Sequence, residues 1–290
     1  MRTLTRRKFL YTGAVAAAGV SAFGVDGFVE SNDPHLVRVE IPLARLPQSF
    51  DGFTVAQLSD FHFTEHFSSV PIRKSVEIVN SLKPDLIVLT GDFVTVPVLE
   101  TMGSLRRVLN TAAPCAEMLA ELRAPMGRFA VLGNHDRDAG GAQIVGILRE
   151  HQIPVLRNNS VPLERGRDRV WLAGIDDVLK GYPDLGATIK NIPTAETTIL
   201  LAHEPDFADE SSLRPIDLQL SGHSHGGQVW IPGIGAPWLP PLARKYPRGM
   251  YRVGRTVLYT NIGVGTIRAP IRINCQPEIT LITLRAAPTR

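Results

Sequence analysis

Cysteine is almost missing: Cys115 and Cys275 stand far apart in 290 residues, and neither has a CxxC partner or a neighbouring histidine. A disulfide framework and a zinc–thiolate site are thereby excluded, while one isolated disulfide stays open. Acidic side chains are absent from the first 25 residues, where Arg2, Arg6, Arg7 and Lys8 supply four cations ahead of Asp26. The formal net charge of +3 therefore belongs to the N-terminus; beyond residue 22, 27 basic residues face 28 acidic ones, a net of −1. Electrostatic attraction to nucleic acid loses its basis, and no nucleic-acid binding is expected. Long hydrophobic runs are lacking too. The longest candidate, Tyr11–Phe23, covers 13 residues, short of the roughly 20 that a spanning helix needs. What is present suffices for a sizeable core: 44% hydrophobic and 20% charged residues exclude a mainly disordered chain. Length leaves one or two domains open, and no repeat or clear linker divides the sequence.

The N-terminus is a segment of its own. Thr5-Arg6-Arg7-Lys8-Phe9-Leu10, a short Ala/Gly/Val-rich run, and the small residues Val20-Ser21-Ala22 resemble a twin-arginine export signal with a cleavage site. The expected organisation is a signal over residues 1–22, a lead-in with a first strand over 23–52, and the main domain over 53–290. The resemblance implies engagement with the twin-arginine translocation machinery and a periplasmic or cell-envelope location. It also leaves room for N-terminal anchoring if the signal is retained, and for peripheral contact with membrane or envelope.

One local pattern recurs along the rest of the chain. Phe53–Leu58 ends in Ser59-Asp60-Phe61-His62, Asp85–Leu89 in Thr90-Gly91-Asp92, and Phe129–Leu132 in Gly133-Asn134-His135-Asp136. Thr197–Leu201 ends in Ala202-His203, and Ile216–Leu220 in Ser221-Gly222-His223-Ser224-His225. Five short β-type runs thus stop at ligand-type side chains. Helix-period segments lie between them: Val70–Leu82, Ala116–Arg123 entered through Pro114, and Gly141–His151. Strands alternating with helices predict an α/β fold with at least part of a sheet parallel. Sites in such sheets form beyond the carboxyl ends of strands, so the five clusters should converge. After Gln228 a Pro/Gly-rich loop leads into Tyr251–Tyr259, Ile267–Ile273 and Glu278–Leu284, expected to close a second sheet.

Five of the eight histidines sit in these clusters. Asp-x-His at a strand end can direct two donors to one cation. Carboxylate, imidazole and amide oxygen without thiolate suit Mn, Fe, Zn or Ni rather than calcium or copper(I). Each cluster alone is an ordinary turn; their order is what carries information. Asp60-x-His62, Gly91-Asp92, Gly133-Asn134-His135-Asp136, His203 and Gly222-His223-Ser224-His225 together resemble the calcineurin-like metallophosphoesterase superfamily. The Gly226-Gly227-Gln228 extension, the proline-rich loop and the export signal are similar to its bacterial exported phosphodiesterase branch.

The resemblance implies two mixed sheets packed as a sandwich with helices outside, and a site for two divalent transition metals, Mn foremost. Asp60, His62 and His225 would hold one metal, Asn134, His203 and His223 the other, with Asp92 bridging. A bridging hydroxide would attack phosphorus, His135 would protonate the leaving oxygen or stabilise charge, and Asp136 would orient the His135 ring or cap a turn. His66 and Arg137 are weaker candidates for holding the substrate phosphate. Gly222-His223-Ser224-His225-Gly226 also fits the nucleophile elbow G-x-S-x-G. That reading fails because Gly-Gly-Gln-Val-Trp-Ile-Pro cannot form the required helix, and no histidine follows His225. The expected activity is phosphodiester hydrolysis, since Asp92-Phe-Val-Thr lacks the arginine-bearing loop of the protein phosphatases in this superfamily. The alternatives are a pyrophosphatase acting on a UDP-linked acylated sugar or envelope lipid precursor, and a metal-binding envelope module without catalysis.

Overall fold

The computed structural model describes residues 26–96 and 102–287; the export-signal reading concerns residues outside them. After a helical stretch over residues 26–31 (α1) come β1 (His35–Leu43) and β2 (Thr54–Leu58), then α2 (Ser69–Leu82), β3 (Leu86–Leu89), α3 (Met102–Ala120), β4 (Arg128–Ala130) and α4 (Asn134–Glu150). The second half holds β5 (Asn159–Arg165), β6 (Asp168–Gly174), α5 (Leu185–Ile189), β7 (Thr197–Leu201), α6 (Ala208–Ser211) and β8 (Leu218–Ser221), followed by β9 (Gly249–Val253), β10 (Thr256–Thr260) and β11 (Glu278–Ala286). No helix among the described residues is long and apolar enough to cross a membrane.

The strands form two mixed sheets, ordered β1-β11-β2-β3-β4 and β5-β6-β7-β8-β10-β9. β2, β3 and β4 run parallel in the first, and β6, β7, β8 and β10 in the second. Both faces of these strands are covered, and β3 accordingly reads as a continuous apolar run, while β2 and β8 carry the buried amides Gln57 and Gln219. Along β3, Leu86 and Val88 face the other sheet while Ile87 and Leu89 face the helices. Along β7, Ile199 and Leu201 face inward, and Leu200 packs outward with Leu185 and Phe207. Period-2 alternation thus builds three apolar layers between four structural ones.

Three expectations require correction. Ile267–Ile273 forms no strand; Ile273 makes a single bridge to Val229, and Pro270 interrupts any ladder. β11 closes the first sheet rather than the second, lying parallel to β1 and antiparallel to β2. Helix α3 begins at Met102 and passes through Pro114. Proline in a helix interior costs about 3 kcal/mol, and buried Val108, Ala112, Cys115 and Leu119 on both sides of it offset that cost. The two cysteines are free and buried, so the open question of a disulfide is resolved against it.

Candidate metal centre

Each parallel strand delivers its polar cluster by a sharp change of backbone direction. Asp60, His62, Asp92, His223 and His225 all adopt left-handed φ between 42° and 66°. For non-glycine residues this conformation is strained and concentrates at functional sites. Here it lifts side chains out of the sheet plane into the space above the strand ends. Cross-strand hydrogen bonds hold the turns: Asp60 N–H donates to Gly91 O, His62 N–H to Asp92 O, and Gly222 N–H to His203 O, at 2.9–3.0 Å. The glycines of the pattern are required by space. A Cβ at Gly91, whose φ is +97°, would stand 2.6 Å from Gly133 N, and one at Gly133 would overlap Asp92 Oδ1.

Two clusters of candidate ligands result, Asp60/His62/His225 and Asp92/His203/His223, and Asp92 also meets His62 and His135. Asp92 Oδ2 lies 3.4 Å from His62 Nε2 and 3.3 Å from His203 Nε2. Its other oxygen accepts the His135 N–H at 2.9 Å. Asp60 accepts the His223 N–H and sits 3.3 Å from His225 Nε2.

The residues fit a pair of cations. His62 Nε2 and His225 Nε2 face each other at 3.0 Å, and Asn134 Oδ1 is buried with no hydrogen-bond partner. A buried polar atom without a partner is rare, and an amide oxygen beside imidazoles and carboxylates is a donor that suits transition-metal dications. Three of the outer ring nitrogens are meanwhile engaged. His203 Nδ1 bonds Thr90 O at 2.6 Å, His223 Nε2 bonds Pro241 O at 2.9 Å, and His62 Nδ1 contacts Thr95 Oγ1 at 3.0 Å. Such outer contacts fix tautomer and ring orientation. They leave His203 Nε2 and His223 Nδ1 as the donors turned to the centre.

Burial would raise the Asp92 carboxyl, but His203 beside it, with His135 and His62, holds it well below the carboxylate range. Burial likewise opposes protonation of His203, yet the charge and hydrogen bond of Asp92 raise it well above the ordinary imidazole value. His62, His223 and His225 go the other way. Burial comes first in each, and His223 is pushed down to about 4. Three imidazoles are thus neutral and ready to bind a cation, whereas His203 must give up a proton to do so.

The sequence left Asp136 between orienting the His135 ring and capping a turn, and its contacts are those of a cap. The buried Asp136 carboxylate accepts the backbone N–H groups of Asp92, Phe93, Val94 and Gly133, tying the Asp92 turn to the start of α4. His135 Nδ1 instead accepts the Val96 N–H at 3.0 Å. Arg137 faces Asp176, its Nε 3.6 Å from Oδ1. His66 stands on an exposed loop against Phe67; neither residue lines the cavity over the centre. Ser224 is buried and accepts the Gly226 N–H. Sequence reasoning did not reach Thr95, Val96, Leu179, Lys180 or Arg268, which come from loops without motif and line that cavity.

Missed as well was Arg272. Its guanidinium is fully buried and bonds the carbonyls of Ile262, Gly263, Gly265 and Cys275. It thereby fixes the loop whose Val264 and Gly265 N–H groups bond Ser59 O and Asp60 O.

A solved protein of Thermus thermophilus, TT1561, aligns over 73% of this chain and 89% of its own, at 12% identity and a TM-score of 0.49. The sequence profile described as calcineurin-like phosphoesterase matches residues 53–227. Metallophosphoesterase YkuE of Bacillus subtilis is 35% identical over 294 aligned positions, 99% of each chain. Phosphodiesterase YaeI of Escherichia coli is 31% identical over 97% of this chain and 99% of its own. On that similarity the chain belongs to the calcineurin-like phosphoesterase family and is a metal-dependent phosphoester hydrolase.

Proposed function

We propose that the protein hydrolyses phosphodiesters of an extracytoplasmic substrate, using two divalent metals, Mn first and Fe, Zn or Ni as alternatives. Asp60, His62 and His225 hold one, Asn134, His203 and His223 the other, and Asp92 is shared. The observation that carries this reading is the single oxygen, Asp92 Oδ2, set almost equally close to one imidazole of each cluster. A metal pair in such a site activates water and neutralises charge on the phosphoryl group.

The rest belongs to the side chains. Because Val96 N–H donates to His135 Nδ1, the neutral ring carries its proton on Nε2. His135 lines the cavity, and that Nε2–H donates a hydrogen bond that stabilises the charge building on the leaving oxygen. Asp136, by tying the Asp92 turn to α4, positions both Asp92 and His135. Two features favour diesters over phosphoprotein monoesters: similarity to a protein named a phosphodiesterase, and a turn after Asp92 that reads Phe93-Val94-Thr95 and brings no arginine. The test compares an aryl phosphodiester, an aryl monophosphate and a UDP-sugar with added Mn²⁺. Preference for the diester is expected; preference for either of the others overturns the reading.

The extracytoplasmic assignment rests on the Arg6-Arg7 leader. Replacing both arginines with lysine should retain the precursor in the cytoplasm, and unchanged export would refute it.

A further inference from the structure

The cavity over the centre holds about 470 Å³, within the range of small-molecule sites. Its floor is formed by candidate ligands, including His62, Asp92 and His223, with His135 beside them. Its walls are mostly of another kind, Val96, Leu179, Trp238, Pro240, Pro241 and Ile267, with one hydroxyl, that of Thr95, already in contact with His62 Nδ1. The charges on those walls are the cations Lys180 and Arg268. Arg268 lies over the Trp238 ring at 5.4 Å, a cation–π arrangement. Lys180 is paired with Asp138 at 3.2 Å at the exposed edge.

A sugar or nucleoside on these walls would set several hydroxyl groups against apolar carbon, where polar groups are costly to bury without partners. An alkyl or acyl chain would meet no such cost. On the loop that carries Trp238, Ile234 and Trp238 itself are 78% and 54% exposed.

We infer that the phosphodiester this site accepts carries an apolar chain as one of its ester groups, with the phosphoryl on the floor, the chain along the walls from Val96 to Ile267, and Lys180 and Arg268 meeting the anionic charge. This substrate class rests on the phosphodiesterase reading above, and the two are separable by experiment.

The probes are methyl-, butyl- and octylphosphonate, which bind without being cleaved, titrated calorimetrically into the metal-loaded full chain. Affinity should rise by about fourfold per methylene from methyl to butyl, as expected for burial of each CH₂. A Leu179→Ala/Trp238→Ala double variant should lose most of that dependence, while Leu213→Ala, an exposed position outside the cavity, keeps it. Equal binding of methyl- and octylphosphonate, or an unchanged dependence in the double variant, overturns the inference. In parallel, hydrolysis of methyl, butyl and octyl esters of methyl phosphate is followed by ³¹P NMR. Chain-length-dependent binding with no ester cleaved counts against the phosphodiesterase reading alone. Cleavage with length-independent binding counts against the apolar chain alone.

Discussion

At the residue scale the chemistry divides between groups that gather charge and one that donates a hydrogen bond to the leaving oxygen. His135 donates its backbone N–H to Asp92, and its ring Nδ1 is occupied by the Val96 N–H. His135→Ala should therefore retain metal and lose roughly 10²–10⁴-fold in turnover on esters with alkoxide leaving groups. The loss should be much smaller with nitrophenolate, which departs without protonation. Steady-state rates on both ester types beside elemental analysis check this, and an emptied metal site would contradict it.

His203 makes a second prediction. Asp92 raises its pKa well above the ordinary value, so at neutral pH the metal-free site holds a proton there that metal must displace. His223, pushed down to about 4, is already neutral and releases none. Metal affinity should accordingly rise with pH through neutrality and weaken as pH falls. Calorimetry in buffers of different ionisation enthalpy should find at least one proton released per chain, and none would contradict the assignment.

At the scale of elements, the centre depends on short strands and on the turns that leave them. The strands were legible in the sequence because β2, β3, β7 and β8 are short and largely apolar and each stops at a polar cluster. The assignment of Glu278–Leu284 to a sheet was not legible, since a strand buried on both sides carries no mark of which neighbour it pairs with. Helix α3 was cut short because Pro114 is a strong local stop, overridden only by packing that appears in three dimensions. Arg272 also escaped notice, since one arginine in an Ile-rich stretch reads as a solvated charge. Arg272→Leu should strand the carbonyls of Ile262, Gly265 and Cys275 while Gly263 O keeps the Glu278 N–H, each lost partner costing on the order of 1–3 kcal/mol, and lower stability by at least about 3 kcal/mol. It should also weaken metal binding by freeing the loop behind Asp60. Denaturant midpoints of the metal-free proteins test the first effect, and an unchanged midpoint would show that the clamp is dispensable.

At the scale of the whole molecule, two parallel strand sets bring their carboxyl ends to one edge of the sandwich, so clusters spread from Asp60 to His225 meet at one centre. The candidate ligands could be found in the sequence because strand-end chemistry is local. Much of the cavity could not: Val96, Leu179 and Ile267 come from three separate connections and share no spacing. The same arrangement explains why Asp92 outranks the other ligands. It stands where the two sheets' contributions join, between His62 from the first and His203 from the second. The most direct test is the metal content of wild-type and Asp92→Asn proteins, measured by elemental analysis after loading and desalting, with hydrolysis assayed on the same samples. The shared-carboxylate centre predicts two equivalents per wild-type chain, and loss of both metals and activity in the variant. A wild-type chain fully active with one equivalent, or an Asp92→Asn chain that keeps two, would contradict it.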